Sequence, residues 1–400
     1  MTIHNNIYNV LLIHGFFPFS SNTSTTETGS SLATWIIALS ILASTIMSML
    51  AFLGISQGMQ LRIWKNQVES KLRIIEGYVR EAESSALELL KSSGARNPQD
   101  VVARVKDFFM IGPVTIEPID IIRRLESIIR TGEVHIERIV KDSLPSSISE
   151  HILKNTVTLL SLLNALNTIY KYLRHLLLLG VKSKNAMLVA QVWMMMPLYL
   201  RIAKAYREAV NAVSKGIPIG DSAGPLAAYK IAMESKPLSK MKEIVKDTVY
   251  GEYNYEDRRL IVVKAKGPGS TVGRPGEAVE KLLEDTTIAS SLAAIITIDA
   301  ALKFEGEETG TIAEGIGVAM GDPGPEKIRI ERLASKLRVP LYAIVVKMSM
   351  EEAINAITQN IVEGVTKAVE KAKRIIKEST RPGDTIILVG VGNSIGVGQA

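Results

Sequence analysis

The 400-residue sequence contains no cysteine. Disulfides, thiolate metal centres and cysteine nucleophiles are therefore excluded. Histidine is scarce: there are five, and the last of them is His175. A serine–histidine pair or a histidine metal site in the second half would need His4, His14, His135, His151 or His175 to reach over from the first. Aromatic residues make up 5% of the chain and interleave with no Lys/Arg run. At a net charge of +6, no nucleic-acid partner is indicated. Lysine and arginine are missing from the first 31 residues, and every charge is missing from Leu32 to Ile55.

What is present starts with that uncharged run, LATWIIALSILASTIMSMLAFLGI. Its length suffices to cross a bilayer as a helix. A signal peptide fits worse, because the run is long, starts late and has no basic residue ahead of it. Arg62, Lys65, Lys71 and Arg73 follow closely. The positive-inside rule then puts residues 1–31 outside and everything after about residue 58 in the cytoplasm, at the cell membrane. A glycosylation-type triplet at Asn22 agrees with an outside tail, and Ile7 to Phe19 is apolar but too short to span.

Residues 60–215 read as helical. Val68, Leu72, Ile75, Val79, Ala82, Ala86 and Leu89 recur by fours and threes over 60–92. That spacing suits either a coiled coil that builds a homo-oligomer or a helix packed on its own domain. Two longer helices are expected at His151–Leu179 and Asn185–Ser214, joined by GVKSK. They are read as a buried hairpin, with a membrane hairpin as the alternative.

From Gly216 the texture changes. RLIVVKAK (Arg259–Lys266), AAIITIDA (Ala293–Ala300), LYAIVVKM (Leu341–Met348) and DTIILVGV (Asp384–Val391) read as buried strands. Helices are expected between them, at Gly276–Glu284, Pro325–Leu337 and Ser349–Glu378. The alternation predicts an α/β fold over 216–400, a three-layer α/β/α sandwich with a mostly parallel sheet. Ligands bind such sheets at the carboxyl ends of the strands. There the sequence places GPGSTVGRPG, DAALKFEGEETG and GVGNSIGVG.

GPGSTVGRPGE lacks the Walker spacing, but its amides and Arg274 suit a small anion. GVGNSIG imitates a dinucleotide fingerprint without a helix to receive the pyrophosphate. Ser222 has no nearby histidine in sequence. Carboxylates remain. Asp299 ends an apolar strand, and Asp221 stands at the mouth of a helix in IGDSAGPLAAYKIAME. If the two face each other, repulsion splits their pKa values, leaving one acid and one base. The bland alternative makes Asp221 a helix cap and leaves Asp299 bound to backbone amides. Glu305, Glu307, Glu308, Glu314 and Asp322 could recruit a divalent cation, although such acids more often face water.

These motifs carry a resemblance. GDSAGPLAAYKI is similar to the GD-x-x-GP-L turn and helix of the hydrogenase-maturation peptidase and spore germination protease superfamily. IITIDAALKFEGEETGTIAEGIGVAMGDPGPEK resembles its next block, and ILVGVGNS resembles its first strand with G-x-GN. The chain as a whole also resembles an uncharacterised family of archaeal membrane proteins. The resemblance implies two acidic site positions, matched by Asp221 and Asp299, and peptide hydrolysis in the germination-protease branch. The order is rotated, since the GVGN strand closes the chain, and a circular permutation would still set Asn393 beside Asp221. The histidine of the metal-binding branch has no counterpart.

The expected protein is thus a membrane-anchored, peptidase-like hydrolase. Asp221 and Asp299 would form its acid–base pair, with no cofactor required. Gly220, Gly267, Gly269, Gly273, Arg274, Gly390, Gly392 and Asn393 would shape the pocket for a peptide or protein. The rival is a non-catalytic sensor or scaffold that binds a small anionic ligand at the glycine-rich loops.

Overall fold

A computed structural model describes residues 31–52, 55–115, 119–321 and 324–400. The expectations for the N-terminal tail, Asn22 and Ile7–Phe19 included, lie outside these residues, as does Asp322. The chain divides into two compact units: residues 76–168 with 201–400, and residues 2–75 with 169–200.

The N-terminal half is all helix: α1 (Ser31–Phe52), α2 (Ile55–Ser92), α3 (Pro98–Lys106), α4 (Ile121–Ser143), α5 (Glu150–Lys182) and α6 (Ala186–Ser214). The uncharged run forms α1, and its described apolar side chains from Ile36 to Met49 are exposed. Among the described residues, the helix long and apolar enough to cross a membrane is α6, with 33% of its apolar window buried. The periodic seam of α2 is covered by the chain itself. Val68, Leu72 and Ile75 are buried in one unit and Val79, Ala82 and Ala86 in the other. Leu90 takes the last buried place, and Leu89 sits half-buried beside it. Within the smaller unit, Trp64 of α2 stacks on Trp193 of α6.

The larger unit adds a sheet of eight strands: β1 (Lys236–Pro237), β2 (Lys242–Val245), β3 (Thr248–Tyr255), β4 (Arg258–Ala265), β5 (Leu292–Leu302), β6 (Ile312–Ile316), β7 (Leu341–Met348) and β8 (Thr385–Gly390). Their order is β1-β3-β4-β8-β5-β7-β6, with β2 also on β3. The central strands β4, β8, β5 and β7 are parallel. The margins are antiparallel: β1, β2 and β3 on one side and β6 on the other. The sheet is therefore mixed, which corrects the mostly parallel expectation. The four strands read from the sequence are the central ones: β4, β8 and most of β5 are buried on both faces and so uniformly apolar, and β7 is an apolar run whose positions alternate between buried and half-buried.

Helices lie on both faces. On one face α7 (Ala223–Met233) and α12 (Gln359–Ser379) pack on Leu260, Val262, Ile296, Ile298, Ile386 and Leu388. On the other, α8 (Pro275–Leu282), α9 (Thr286–Ser291) and α10 (Pro325–Leu337) pack on Ile261, Val263, Ile295, Ile387 and Val389. The expected helix Ser349–Glu378 is broken. A short α11 (Met350–Ile354) ends at Asn355, whose carbonyl accepts the N–H of Gly220 at 3.0 Å, and Ile219 bridges Ala356. The helical arm docks on the sheet domain through buried charge: Lys154 meets Asp247 at 2.7 Å and Glu137 at 3.3 Å.

Candidate active site

The site lies at the carboxyl ends of the adjacent parallel strands β5 and β8. Helix α7 is pressed onto those ends by a run of small residues. A methyl at Gly224 would stand 2.1 Å from the Val391 carbonyl oxygen and 2.3 Å from that of Ile298. Gly390 faces Gly224 and Ala228 equally closely. This close approach is what small residues at the helix–strand contact make possible. It sets the single 3-10 turn Gly220–Ser222, just ahead of α7, over the end of the sheet.

Asp221 does not cap a helix. The N-cap of α7 is Ser222, and neither that helix nor the 3-10 turn before it has a side-chain cap bond. The Asp221 carboxylate turns the other way and accepts the backbone N–H of Asn393 at 3.0 Å. The same N–H lies 3.1 Å from the Asp221 carbonyl oxygen. Gly392 has φ +122, and a methyl there would fall 2.1 Å from that carbonyl, so glycine is required for the loop to close on Asp221. Asn393 is itself held from behind. Its Nδ2 donates to Ser270 Oγ at 3.0 Å, and its Oδ1 accepts the N–H of Ile395 at 2.9 Å.

Asp299 is on β5, 6% exposed, and accepts the N–H of Ala300 at 2.7 Å. Burial raises its pKa well above the ordinary value, and the nearby charge of Asp221 raises it further. The Ala300 N–H and the Lys327 ammonium oppose this shift. Burial likewise pushes Asp221 up to about 6, against the pull of the Asn393 N–H. The two carboxyl groups titrate as a unit. Both carboxyl groups are thereby held towards the protonated form. Two carboxyl groups that sense each other's charge and resist ionisation are a starting point for general acid–base chemistry.

Of the other expected site residues, Gly220, Gly390, Gly392 and Asn393 join this site. The loop 267–274 stands behind it. Gly267 packs on the Val397 carbonyl, and Gly269 packs on His151 and Lys154. Gly273 (φ +62) packs on Thr248. The N–H groups of Ser270, Gly273 and Arg274 are bound to Asn155, Thr271 and Thr248. The Arg274 guanidinium faces Glu133 and Glu277, each at 3.7 Å. These donors are satisfied inside the protein.

The acids after Asp299 do not gather into a cation site among the described residues. Glu307 pairs with Lys347 and Glu314 with Lys371. Three carboxylates that do converge are Glu126, Glu277 and Glu326, with oxygens within 4.8 Å of one another. Arg130 bridges the first two and Arg329 holds Glu126, so guanidinium groups already supply the counter-charge.

Three residues were not assigned roles from the sequence. Lys327 lies near enough to Asp299 for its ammonium to oppose the rise of that carboxyl, and it also donates to the Met320 carbonyl at 3.2 Å. Lys264 is fully buried at the end of β4, opposite Gly390, and burial pulls its pKa down to about 8. Ser222 has a buried hydroxyl with no hydrogen-bond partner among the described residues, His135, His151 and His175 included. Lys327 follows GPE at the start of α10, but no local pattern tells such a lysine from a solvated one.

No curated protein matches the chain. Residues 42–216 match the model described as "Protein of unknown function (DUF1512) N-terminal domain", and residues 219–398 match "Domain of unknown function (DUF1512) C-terminal". With both domain models met in order over most of its length, the chain belongs to the uncharacterised DUF1512 family.

Proposed function

We propose that the protein is a membrane-anchored, peptidase-like hydrolase whose Asp221–Asp299 pair cleaves an amide bond in a peptide or protein. The observation that carries this reading is the direction of Asp221. Its carboxylate is turned from its own helix onto the loop after β8 and shares an electrostatic environment with Asp299. Ionised Asp221, the member with more surface, takes a proton from water as that water attacks the carbonyl carbon. Protonated Asp299 gives its proton to the leaving nitrogen. The amide N–H of Asn393 holds Asp221 in place, and Lys327 keeps Asp299 from rising further. The likeness to the germination-protease superfamily points the same way, with β8 as its displaced first strand. No cofactor is needed for this chemistry, nor is a second copy of the chain.

The reading places α1 in the bilayer, residues 1–31 outside and the sheet domain in the cytoplasm. Protease added to sealed cells should then clip the tail and spare the sheet domain. The catalytic test is peptide hydrolysis by the full chain in membranes, compared with Asp221→Asn and Asp299→Asn. Each should lose roughly a thousandfold or more in kcat/KM. Activity should rise as pH passes about 6 and Asp221 ionises, then fall as Asp299 loses its proton. Equal turnover by wild type and both variants would remove the hydrolase reading.

One observation favours the non-catalytic alternative. Asp299 is nearly closed off from solvent. A sensor could use the shared proton of the pair as its signal without admitting a substrate. Hydrolysis that is undetectable on varied peptides, with a retained pH-dependent change at Asp221, would select it.

A further inference from the structure

A second surface of the sheet-bearing unit carries chemistry that the aspartate site does not use. The segment between α3 and α4 exposes Phe109, Ile111, Val114 and Ile119, each more than 60% accessible. Scattered apolar side chains on a surface are ordinary, but four within eleven positions of one connection are not. Nor is the base of the segment slack. Asn164 of α5 donates its amide to the carbonyls of Val105, Lys106 and Phe108 at 2.9–3.0 Å. Phe108 stacks on His135, and Met110 fills the space over Gly132. With 108 and 110 fixed inward against α4, 109 and 111 are held outward.

Asp120, next to Ile119, lines a cavity of about 620 Å³ between α4 and α10. Its walls are amphiphilic. Ile121, Ile122, Ile328 and Leu333 are apolar, and Arg123, Arg329, Arg332 and Lys336 are cationic. Arg329 is consumed by Glu126 and Glu280. Arg123, Arg332 and Lys336 are exposed and have no ion partner among the described residues, against one such anion at the wall, Asp120. The pocket therefore offers an excess of free positive charge, and Ile119 of the exposed apolar set directly precedes its wall residue Asp120.

We propose that this surface binds the anionic headgroup of a membrane phospholipid. The phosphate sits among Arg123, Arg332 and Lys336, while Phe109, Ile111, Val114 and Ile119 enter the adjoining acyl region. A soluble anion would use the cations and leave the apolar edge in water. An amphiphile with a negative head uses both, the pairing by which interfacial segments hold acidic bilayers. The proposal rests on the membrane reading only for the presence of a bilayer, not on hydrolysis.

The absence of cysteine makes the test clean. Ile111→Cys in the full chain takes a single environment-sensitive fluorophore. The protein is combined with vesicles of phosphatidylcholine alone, or of phosphatidylcholine with phosphatidylglycerol, carrying a bilayer-embedded quencher. Anchoring through α1 is read separately, by flotation after an alkaline wash. The expected result is a blue-shifted probe, quenched several-fold more in the anionic vesicles. The R123Q/R332Q/K336Q variant, altered only at exposed side chains, should float as before but fall to the zwitterionic level. A probe that stays in water, or quenching indifferent to lipid charge or to the triple variant, overturns the proposal. So does a shift produced by glycerol phosphate without vesicles, which would make the pocket a site for soluble anions. Chain that fails to float while its probe is quenched would instead remove the anchor reading and leave this one standing.

Discussion

Two helix entrances in the sheet domain are built from the same residue types and do opposite things. At α11, Ser349 is the N-cap and forms a full capping box. Its hydroxyl accepts the N–H of Glu352, and the Glu352 carboxylate accepts the N–H of Ser349. At α7, Ser222 occupies the same cap position with its hydroxyl buried and unpartnered. The aspartates repeat the contrast. Asp285 caps α9 by accepting from the N–H and hydroxyl of Thr287, which pulls its pKa down. Asp221 caps nothing, and burial pushes it up to about 6. Serine and aspartate are chosen at helix starts because they satisfy open N–H groups. Where they decline that role and still sit buried, the local structure gives up stability that a packed or capped alternative would retain. Such sites are where function is expected to lie.

Substitutions can break this contrast. The largest effect is expected from Gly224→Ala, whose methyl would collide with two backbone carbonyls and lift the α7 entrance off β5 and β8. A loss of about 3 kcal/mol or more in denaturant unfolding would fit backbone overpacking. No loss would mean that α7 is not seated as described.

Asp221→Asn comes next, with a gain. A raised carboxyl pKa favours the protonated fold, so wild-type stability is full below about pH 4 and falls as pH climbs through about 6. The neutral variant escapes that fall, gaining about 3 kcal/mol above pH 7 and nothing near pH 4. Unfolding curves at the two pH values check it, and a loss at both would make Asp221 a structural residue.

The serines then separate by sign. Ser349→Ala should cost about 1 kcal/mol through its lost cap. Ser222→Ala should be neutral or gain up to about 1 kcal/mol, because it removes an unsatisfied hydroxyl. If both lose equally, Ser222 has a partner after all. Smallest is Asp285→Asn, which keeps the cap at neutral pH. Its wild-type counterpart should lose the cap's contribution only as acid protonates it, below about pH 4.

Much of the frame was legible in sequence. The four central strands stood out as apolar runs, and Pro325–Leu337 was found to the residue. The margins were not. TVYGEYNY of β3 mixes tyrosine with polar residues around Gly251, and IAEGI of β6 is a half-exposed edge. Neither has the apolar texture that marks a buried strand. The break after Ile354 was hidden because its cause, the Gly220 N–H seeking the Asn355 carbonyl, lies far away along the chain. The α2 seam shows the limit of periodicity, since a spacing of fours and threes reports that a stripe is covered and not by what. For the candidate site, Asp221, Asp299 and Asn393 can be singled out in the sequence, whereas the direction of the Asp221 carboxylate cannot. An aspartate that caps its helix and one turned onto another loop look alike until the donor on Asn393 is placed.

The position of β8 in the sheet bears on how the protein folds. It follows β4, β5 and β7 in sequence yet separates β4 from β5 in space. No earlier pair spans that gap, so the two halves of the sheet stay unjoined until this strand threads between them. Such a closing step depends on contacts between residues more than a hundred positions apart, and non-local pairing of this kind slows folding. The same strand carries in the loop that meets Asp221. Nascent chain that has made every other strand is therefore still without the Asn393 donor that holds the Asp221 carboxylate, so that contact is among the last to form.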